Sequence, residues 1–466
     1  MSPPARKGAS RAAHRYLASR TRLGVKFGLE TIRALLVRLG HPEAAFVSLL
    51  VAGTNGKGSV VAYVDAVLRA SGRRVGRYTS PHLSRVNERI AVDGREITDA
   101  ALQAAVGRVR EAAQALVRAG TIAVHPTYFE ALTAAALVHF RARKVDVAVL
   151  EVGMGGRLDA TNVVDPAASA IVSVDLDHEA YLGRTLGAIA REKAGVLRSG
   201  RTTVLGPLAP EARDALAERA RALGARLVDA RSGMKVRQRA DVLDVETPRG
   251  TYRGLRPLPG GHQVDNVLVA IRLLEEARAA GLACDLGSFA AAVGRVRWPG
   301  RLERILGRPP LLLDGAHNPA AARALAAHLR GIGPFVLVFG AMRDKDVRGM
   351  AEALFPLARD VVLTRPRVDR AARPEELAAR AGGLAGGARL EDQPRRALAW
   401  ARRRARDGGT VVVAGSLFLV GQLRGALTTA SRAGAAAAAS RSRRARRGRS
   451  TSPSRATPRP PSRRRR

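Results

Sequence analysis

The feature that most constrains this chain is a short apolar segment that runs into a glycine-rich loop and then into a helical pattern. The apolar run covers residues 47–52, and helical spacing of apolar residues follows over residues 59–70. Glycines let backbone N–H groups approach phosphate oxygens, and the start of a helix adds positive potential there. We therefore predict a strand, a helix and, between them, a phosphate-binding loop formed by Gly53, Thr54, Asn55, Gly56, Lys57, Gly58 and Ser59.

This loop departs from the standard spacing of phosphate-binding motifs. The first glycine of the standard motif is missing, and Gly58 stands between Lys57 and Ser59. A chance glycine-rich turn is the alternative interpretation, but the strand before it and the helix after it argue against that. Within the loop we expect Lys57 to neutralise β- and γ-phosphate charge and the Ser59 hydroxyl to bind magnesium.

The rest of the chain predicts an α/β protein. Apolar runs that alternate with helical stretches are typical of βαβ units and a parallel sheet. Buried strands are predicted at residues 145–152, 170–174 and 202–205 and, beyond a hinge at Trp298-Pro299-Gly300, at 311–314, 335–339, 360–364 and 410–414. We predict an N-terminal P-loop ATPase domain with a parallel-rich sheet flanked by helices (1–300), a smaller C-terminal Rossmann-like α/β domain (301–432) and a disordered basic tail (433–466).

Composition excludes several classes of protein. The single cysteine, Cys284, rules out a disulfide framework and a cysteine-based zinc site. No apolar run is long enough to span a membrane, and the N-terminus lacks the apolar core of a signal peptide. The net charge of +39 suggests nucleic acid, but the tail alone contributes twelve arginines and no acid. Aromatic residues are only 4% of the chain, so stacking platforms for bases are scarce.

The variant loop resembles that of the Mur ligase superfamily and, within it, the folylpolyglutamate synthase/dihydrofolate synthase family. The resemblance runs from about His14 to Arg424, and other segments match in the same order. The two most specific are the glycine-rich run that ends in Ala160-Thr161-Asn162 and the Asp-Gly-Ala-His-Asn-Pro run. The matching segments are 79–83, 126–130, 151–162, 176–178, 191–195, 261–266, 300–301 and 314–319.

The resemblance implies magnesium ligands at Ser80, Glu151 and His178, besides Ser59. Glu151 ends an apolar run, where parallel sheets present ligands, although an isolated glutamate there could merely cap a helix. A lone histidine is usually structural and magnesium prefers oxygen, so the role of His178 rests on the resemblance alone.

Further nucleotide contacts are implied at Asn266, Arg301 and Asp314. On spacing alone, Asn266 is an ordinary helix cap, Arg301 a linker residue and Asp314 part of a tight turn. The resemblance also implies that Lys193 carries a carbamate made from CO₂, whereas a surface helix position is its default interpretation. We take His317 as the candidate acceptor for the proton of the attacking amine.

A pocket for a flat heterocycle is implied by apolar and aromatic segments. Without the resemblance, plain core packing would be the better interpretation of these residues. The expected folate-binding residues are Phe27, Gly28, Leu29, Thr127, Tyr128, Phe129, Leu158, Asp159 and Ala160.

The activity implied is an ATP-dependent ligase with two magnesium ions, in which a substrate carboxylate becomes an acyl phosphate that the amine of L-glutamate attacks. We expect dihydropteroate and folate as acceptors; a folylpolyglutamate synthase only, or another Mur-type amino-acid ligase, stays open. Only 52 residues precede Gly53, too few for the separate domain of a peptidoglycan-type Mur ligase. A basic nucleic-acid-binding NTPase is the rival of another class. We expect a cytoplasmic monomer with a monovalent cation, no specific nucleic acid and no membrane.

Overall fold

The computed structural model describes residues 7–20 and 28–426, so Phe27 and the predicted tail at 433–466 lie outside the described residues. Residues up to Gln422 form one compact unit. Of a second unit, 423–466, only the helical residues 423–426 are described. Within the described part of the chain, no helix combines the length and apolar content needed to cross a membrane.

Helices and strands alternate along most of the chain. The helices are α1 (Lys7–Arg20), α2 (Glu30–Arg38), α3 (Lys57–Ala70), α4 (Asp99–Arg118), α5 (Tyr128–Ala142), α6 (Glu179–Leu182), α7 (Leu186–Lys193), α8 (Pro210–Leu223), α9 (His262–Ala279), α10 (Phe289–Gly294), α11 (Pro319–Leu329), α12 (Val347–Leu354), α13 (Pro374–Ala381) and α14 (Pro394–Arg404). The strands are β1 (Val47–Ala52), β2 (Val75–Tyr78), β3 (Ile90–Val92), β4 (Arg95–Glu96), β5 (Val147–Glu151), β6 (Pro166–Ile171), β7 (Thr202–Leu205), β8 (Arg226–Asp229), β9 (Lys235–Arg239), β10 (Val242–Thr247), β11 (Gly250–Leu255), β12 (Glu303–Ile305), β13 (Leu311–Leu313), β14 (Phe335–Phe339), β15 (Asp360–Leu363), β16 (Arg389–Leu390) and β17 (Thr410–Ala414).

The first sheet has eight strands in the order β4-β3-β2-β5-β1-β6-β7-β8. Its strands run parallel from β2 to β8, and only β3 and β4 at one edge are antiparallel. Buried apolar residues on both faces, as in β1, let helices cover the sheet on either side. β1 lies between β5 and β6, so the loops that follow these three strands meet at one edge, where α/β sheets bind ligands.

The second large sheet has six strands in the order β12-β13-β17-β14-β15-β16, parallel except for β12. A small antiparallel sheet, β11-β10-β9, separates the two large sheets along the chain. The predicted fold class is confirmed: a parallel-rich sheet with flanking helices precedes a second, smaller α/β layer. The boundaries at residues 300 and 432 stay predictions.

Four predicted strands agree with β1, β7, β14 and β17 residue for residue. β6 differs, because it covers Pro166–Ile171 rather than residues 170–174. Its first residues are a proline, alanines and a serine, which give little apolar signal although they pair with β1. Val172 and Ser173 instead follow the strand and contact the glycine-rich loop. The small antiparallel sheet was not predicted, because β9 is mostly exposed and its side chains are largely charged.

The core of the second sheet provides a test of the packing. Leu337 lies in β14, is fully buried, and contributes to the hydrophobic cluster under that sheet. We expect Leu337→Ala to lower the free energy of unfolding by about 2–5 kcal/mol, because the truncation leaves a cavity. Leu306 is 92% exposed, so Leu306→Ala is the matched control and should change stability by under about 0.5 kcal/mol. Equal denaturant midpoints for the two variants would contradict the assigned core.

Candidate active site

The glycine-rich loop between β1 and α3 is tied to the end of β6. The backbone N–H of Thr54 donates to the carbonyl of Ser173 at 2.9 Å, and that of Asn55 donates to the Ser173 hydroxyl at 2.9 Å. The Lys57 ammonium curls back and donates to the carbonyls of Gly53 (2.9 Å) and Thr54 (3.0 Å). The loop is therefore fixed in shape by contacts of its own and by one neighbouring strand end.

Gly56 shows why the loop needs glycine. Its φ of +82° lies in the left-handed region. A Cβ atom there would lie 2.4 Å from Oδ1 of Asn266 and 2.8 Å from Cγ1 of Val172. The loop backbone thus approaches helix α9 more closely than any side chain would allow.

Gln263 connects the loop to α9, and sequence reasoning gave it no role. Its side-chain amide donates to the Ser59 hydroxyl at 3.2 Å. Its carbonyl oxygen accepts from the Tyr63 hydroxyl at 3.0 Å and from the Asn266 amide at 3.1 Å. This buried network orients Ser59 and Asn266, the two predicted nucleotide contacts nearest to it.

Glu151 and Lys57 are oppositely charged residues of the site that influence each other's pKa. The carboxylate of Glu151 accepts from the backbone N–H of Ser80 at 3.1 Å. Burial raises the pKa of Glu151, and the charge of Lys57 opposes this. Burial also lowers the pKa of Lys57, and Glu151 opposes that shift in turn. Burial therefore disfavours the charged form of each residue, and the opposite charge of the other residue partly restores it. Such a balance suits a site that receives charged ligands.

Asp177, which follows β6, accepts hydrogen bonds from residues in the part of the chain that forms the second large sheet. The Lys345 ammonium donates to one carboxylate oxygen at 2.5 Å, and the Asn318 amide donates to the other at 3.1 Å. Asn318 also donates to Oδ1 of Asn55 at 3.0 Å. Burial alone would raise the pKa of Asp177, but the charge of Lys345 and the hydrogen bond from its ammonium lower it well below its usual range. These contacts join the two sides of the cleft.

Two histidines flank Asp177. Burial lowers the pKa of His178 and of His317 to about 4, so both imidazoles are neutral near pH 7. Nδ1 of His317 lies 2.8 Å from the carbonyl of Gly315, which can only accept, so Nδ1 carries the proton. Nε2 of His317 therefore has a free lone pair, 3.7 Å from the Asp177 carboxylate.

Asp314 shapes the backbone instead of pointing a free carboxylate at the cleft. One oxygen accepts from the N–H of Leu302 and the other from the N–H of Ala316, both at 2.9 Å. A Cβ on Gly315 would lie 2.3 Å from Nη1 of Arg301, so the Asp314 turn packs directly against that arginine. Asp314 thus forms a tight turn, and this turn packs against Arg301 at the cleft.

A cleft of about 360 Å³ brings nearly all the predicted nucleotide and metal residues together. Lys193 lies at its wall with only 2% exposure, and burial lowers the pKa of its amine to about 7. The predicted residues that line the cleft are those of the loop, 53–59, with Ser80, Glu151, His178, Lys193, Asn266, Arg301, Asp314 and His317.

A larger cleft of about 1200 Å³ adjoins the first, and the two share Ser80, His178 and His317. Leu29 does not line it; this residue packs in the hydrophobic core instead. The predicted folate-side residues that do line it are Gly28, Thr127, Tyr128, Phe129, Leu158, Asp159 and Ala160.

Aromatic side chains and one cation shape the larger cleft. The Arg89 guanidinium lies 5.4 Å from the ring centroid of Tyr128. Phe129 fits because Gly153 has no Cβ, which would lie 2.6 Å from the ring. Asp159 accepts from Thr161 and from the N–H of Met154, and burial raises its pKa.

The donor set fits magnesium held together with a nucleotide. Among the described residues, no group of three or more His, Cys, Asp and Glu side chains could hold a metal by itself. Magnesium in phosphate-transfer sites takes one or two protein carboxylates and completes its shell with substrate phosphates and water. Glu151, with hydroxyls at Ser59 and Ser80 beside the phosphate loop, matches that pattern.

The chain is similar to known proteins over most of its length. The Mur ligase middle domain matches residues 51–274, and the Mur ligase glutamate ligase domain matches residues 300–417. The Escherichia coli FolC structure in complex with DHPP and ADP is 30% identical, has a TM-score of 0.82, and covers 92% of this chain and 100% of that chain. A Yersinia pestis bifunctional folylpolyglutamate synthase/dihydrofolate synthase complexed with AMPPNP and Mn ion is 32% identical, has a TM-score of 0.79, and covers 92% and 100% respectively.

Curated relatives carry related names. A Bacillus subtilis dihydrofolate synthase/folylpolyglutamate synthase is 34% identical over 88% of this chain and 97% of the relative. A Haloferax volcanii probable bifunctional folylpolyglutamate synthase/dihydropteroate synthase is 40% identical over 90% of this chain. The chain spans about half the length (50%) of that archaeal relative. This chain belongs to the Mur ligases and, among them, to the folylpolyglutamate synthase/dihydrofolate synthase family.

The close approach at Gly56 generates a test. We expect Gly56→Ala to weaken ATP binding at least tenfold, because the new methyl group displaces Asn266 and strains the backbone. Gly72→Ala is the control: its φ of +79° imposes a similar strain, but nothing lies within 4 Å of its added Cβ. Titration calorimetry with ATP measures both variants. Equal ATP affinity in the two would show that the Asn266 contact does not shape the loop.

Proposed function

We propose that the chain is an ATP-dependent ligase that joins L-glutamate to dihydropteroate and to the γ-carboxylate of reduced folate, giving ADP and phosphate. The observation that carries the proposal is the junction of the two clefts at Ser80, His178 and His317. A γ-phosphate held in the smaller cleft would there meet a carboxylate that enters from the larger one. Such positioning replaces an improbable encounter in solution with an intramolecular step.

In the first step, a carboxylate oxygen of the acceptor attacks the γ-phosphorus of ATP, ADP leaves, and an acyl phosphate forms. The loop amides hold the triphosphate, while Lys57 and Arg301 place positive charge beside the transferred group. Divalent cations, when bound, would supply further charge neutralisation, and Ser59, Ser80, Glu151 and His178 would hold them.

In the second step, the amine of glutamate attacks the acyl carbon, phosphate leaves, and an amide forms. The amine must lose a proton. We assign its acceptance to Nε2 of His317, which is neutral and free of the proton held at Nδ1. The contacts of Asp177 with Lys345 and Asn318 close the cleft beside this histidine and so limit hydrolysis of the acyl phosphate.

The larger cleft suits both proposed acceptors. Tyr128 and Phe129 provide flat walls for a pterin ring, and Arg89 and Arg370 line the same cleft with positive charge. Cations there would pair with the carboxylates of a glutamyl tail, which favours chain extension as well as dihydrofolate synthesis. The family resemblance supports two magnesium ions, a monovalent cation, a monomeric state and a cytoplasmic location. The scarcity of aromatic residues adds support for the lack of a specific nucleic-acid partner.

ADP release measured with each acceptor, with and without L-glutamate, tests the function. We expect ATP turnover and glutamate incorporation with dihydropteroate and with tetrahydrofolate. Lys57→Ala should lower both rates by about 10²-fold or more, because a preorganised cation is lost. Incorporation with tetrahydrofolate only would reduce the proposal to a folylpolyglutamate synthase. Glutamate incorporation with neither acceptor would refute it.

We further propose that Lys193 acts as a carbamate. Only a neutral amine attacks CO₂, and burial already lowers the pKa of Lys193 to about 7, so a large fraction is neutral at physiological pH. No hydrogen bond or ion pair engages this amine among the described residues. A carbamate would replace a repelling ammonium with two anionic oxygens beside the cations of the site.

We expect Lys193→Ala to be nearly inactive and to recover activity with added short carboxylic acids, which can occupy the vacated anionic position. Lys193→Arg should not recover, because a guanidinium keeps its charge and does not bind CO₂. Wild-type activity should fall when bicarbonate and CO₂ are removed, and more steeply below pH 7, where the ammonium predominates. Full activity in Lys193→Arg would refute the carbamate.

A further inference from the structure

Trp298 lies in the linker that connects α10 with β12, three residues before Arg301. It is half-buried and packs against the hydrophobic cluster under the first sheet. Its indole also meets the phosphate loop: a Cβ on Gly58 would lie 3.0 Å from the indole Nε1 and 3.5 Å from Cε2. Gly58 is one of the two departures of this loop from the standard motif, and its missing side chain makes room for the tryptophan.

A cation fixes the same ring from a second direction. The guanidinium of Arg77, on β2, lies 5.0 Å from the Trp298 ring centroid. Nη1 of Arg77 pairs at 3.2 Å with Asp65, whose side chain is 1% exposed. Asp65 belongs to α3, the helix that begins at the phosphate loop. The contacts therefore form a closed circuit from the loop through α3, Asp65 and Arg77 to Trp298 and back to the loop.

These contacts restrict the position of Trp298 and therefore of the linker that contains it. A guanidinium is attracted to the face of a tryptophan ring, so Arg77 and Trp298 restrict each other's position. The side chain of Arg77 is only 14% exposed, and its charge is balanced by a buried carboxylate. Arg301, which directly follows Gly300 of the predicted hinge, lines the nucleotide cleft together with Lys57.

We propose that Trp298 and Arg77 are positioning residues that hold the linker against the phosphate loop and thereby set Arg301 relative to Lys57. Neither residue lines the nucleotide cleft or the larger cleft, so they act through the loop and through Arg301. The inference rests on the proposed function in one respect, namely that ATP binds in the cleft beside the loop.

The protein contains a matched control for this stack. Trp400 on α14 is also half-buried and lies under the guanidinium of Arg389 at 5.6 Å, away from both clefts. We expect Trp298→Ala to lower kcat about tenfold and to raise KM for ATP several-fold, with KM for the folate acceptor unchanged. Trp298→Phe should restore most of the activity, because a ring remains for Arg77. Trp400→Ala should match wild type.

Kinetics that are the same for Trp298→Ala and Trp400→Ala would overturn the inference. Arg77→Lys keeps the charge but loses the planar stack, so it should lower kcat less than Trp298→Ala while leaving KM for the acceptor unchanged. A rise in KM for the acceptor alone would also contradict it, since that would place the effect in the other cleft.

A spectroscopic measurement avoids any change at the stack itself. The chain has two tryptophans, so Trp400→Phe leaves Trp298 as the single indole emitter. Added ATP should shift or quench this emission, and Arg77→Ala in the same background should reduce the response. Unchanged emission at saturating ATP would refute the coupling. Because this readout needs no folate, a response to ATP in a protein that fails to ligate glutamate would separate the proposed function from the present inference.

Discussion

The structure depends on the close approach of one glycine-rich loop to three separate parts of the chain. Gly53 lies against residues 172–173 at the end of β6, Gly56 against Asn266 on α9, and Gly58 against Trp298 in the linker. A side chain would push the neighbour away by a few tenths of an ångström at Gly53 and Gly58 and by more at Gly56, where the added Cβ would lie 2.4 Å from Asn266. The loop is thus the proposed phosphate site, and it also contacts the end of β6, helix α9 and the linker.

The charges around this loop balance one another before any ligand arrives. Lys57 and Glu151 influence each other's pKa, and Lys345 pairs with Asp177. Burial is the largest single influence on the pKa of Lys57, Glu151 and Asp177. Burial of an unpaired charge is costly. The opposite charge offsets part of that cost for Lys57 and Glu151, and Lys345 keeps Asp177 ionised. A bound triphosphate would bring negative charge, and its cations would bring positive charge that compensates it. Charged groups of both signs thus surround the site that we propose for a triphosphate and its cations.

Much of the fold and the site was predictable because the signals are local. The loop, the strand that carries Glu151 and the run around Asp314 and His317 are contiguous in sequence, and strands such as β14 are unbroken apolar runs. Asp177 and Lys345 could not be assigned a contact, because they lie 168 residues apart and no periodicity connects them. Leu29 was misplaced for a related reason: an apolar residue next to a pocket segment has the same pattern as one in the core.

The contacts that join the two sides of the cleft are polar, which makes the cleft easier to open. Asn55 with Asn318, and Asp177 with Lys345, can each exchange their partner for water at modest cost, because hydrogen bonds to water replace those that are lost. An apolar seam of similar extent would resist opening, since exposed apolar area costs about 25 cal/mol per Å². The proposed ligase would have to admit three substrates and then exclude water, which requires a cleft that opens and closes. The polar seam permits that exchange, while the apolar contacts of Trp298 beside the hinge keep the linker in place.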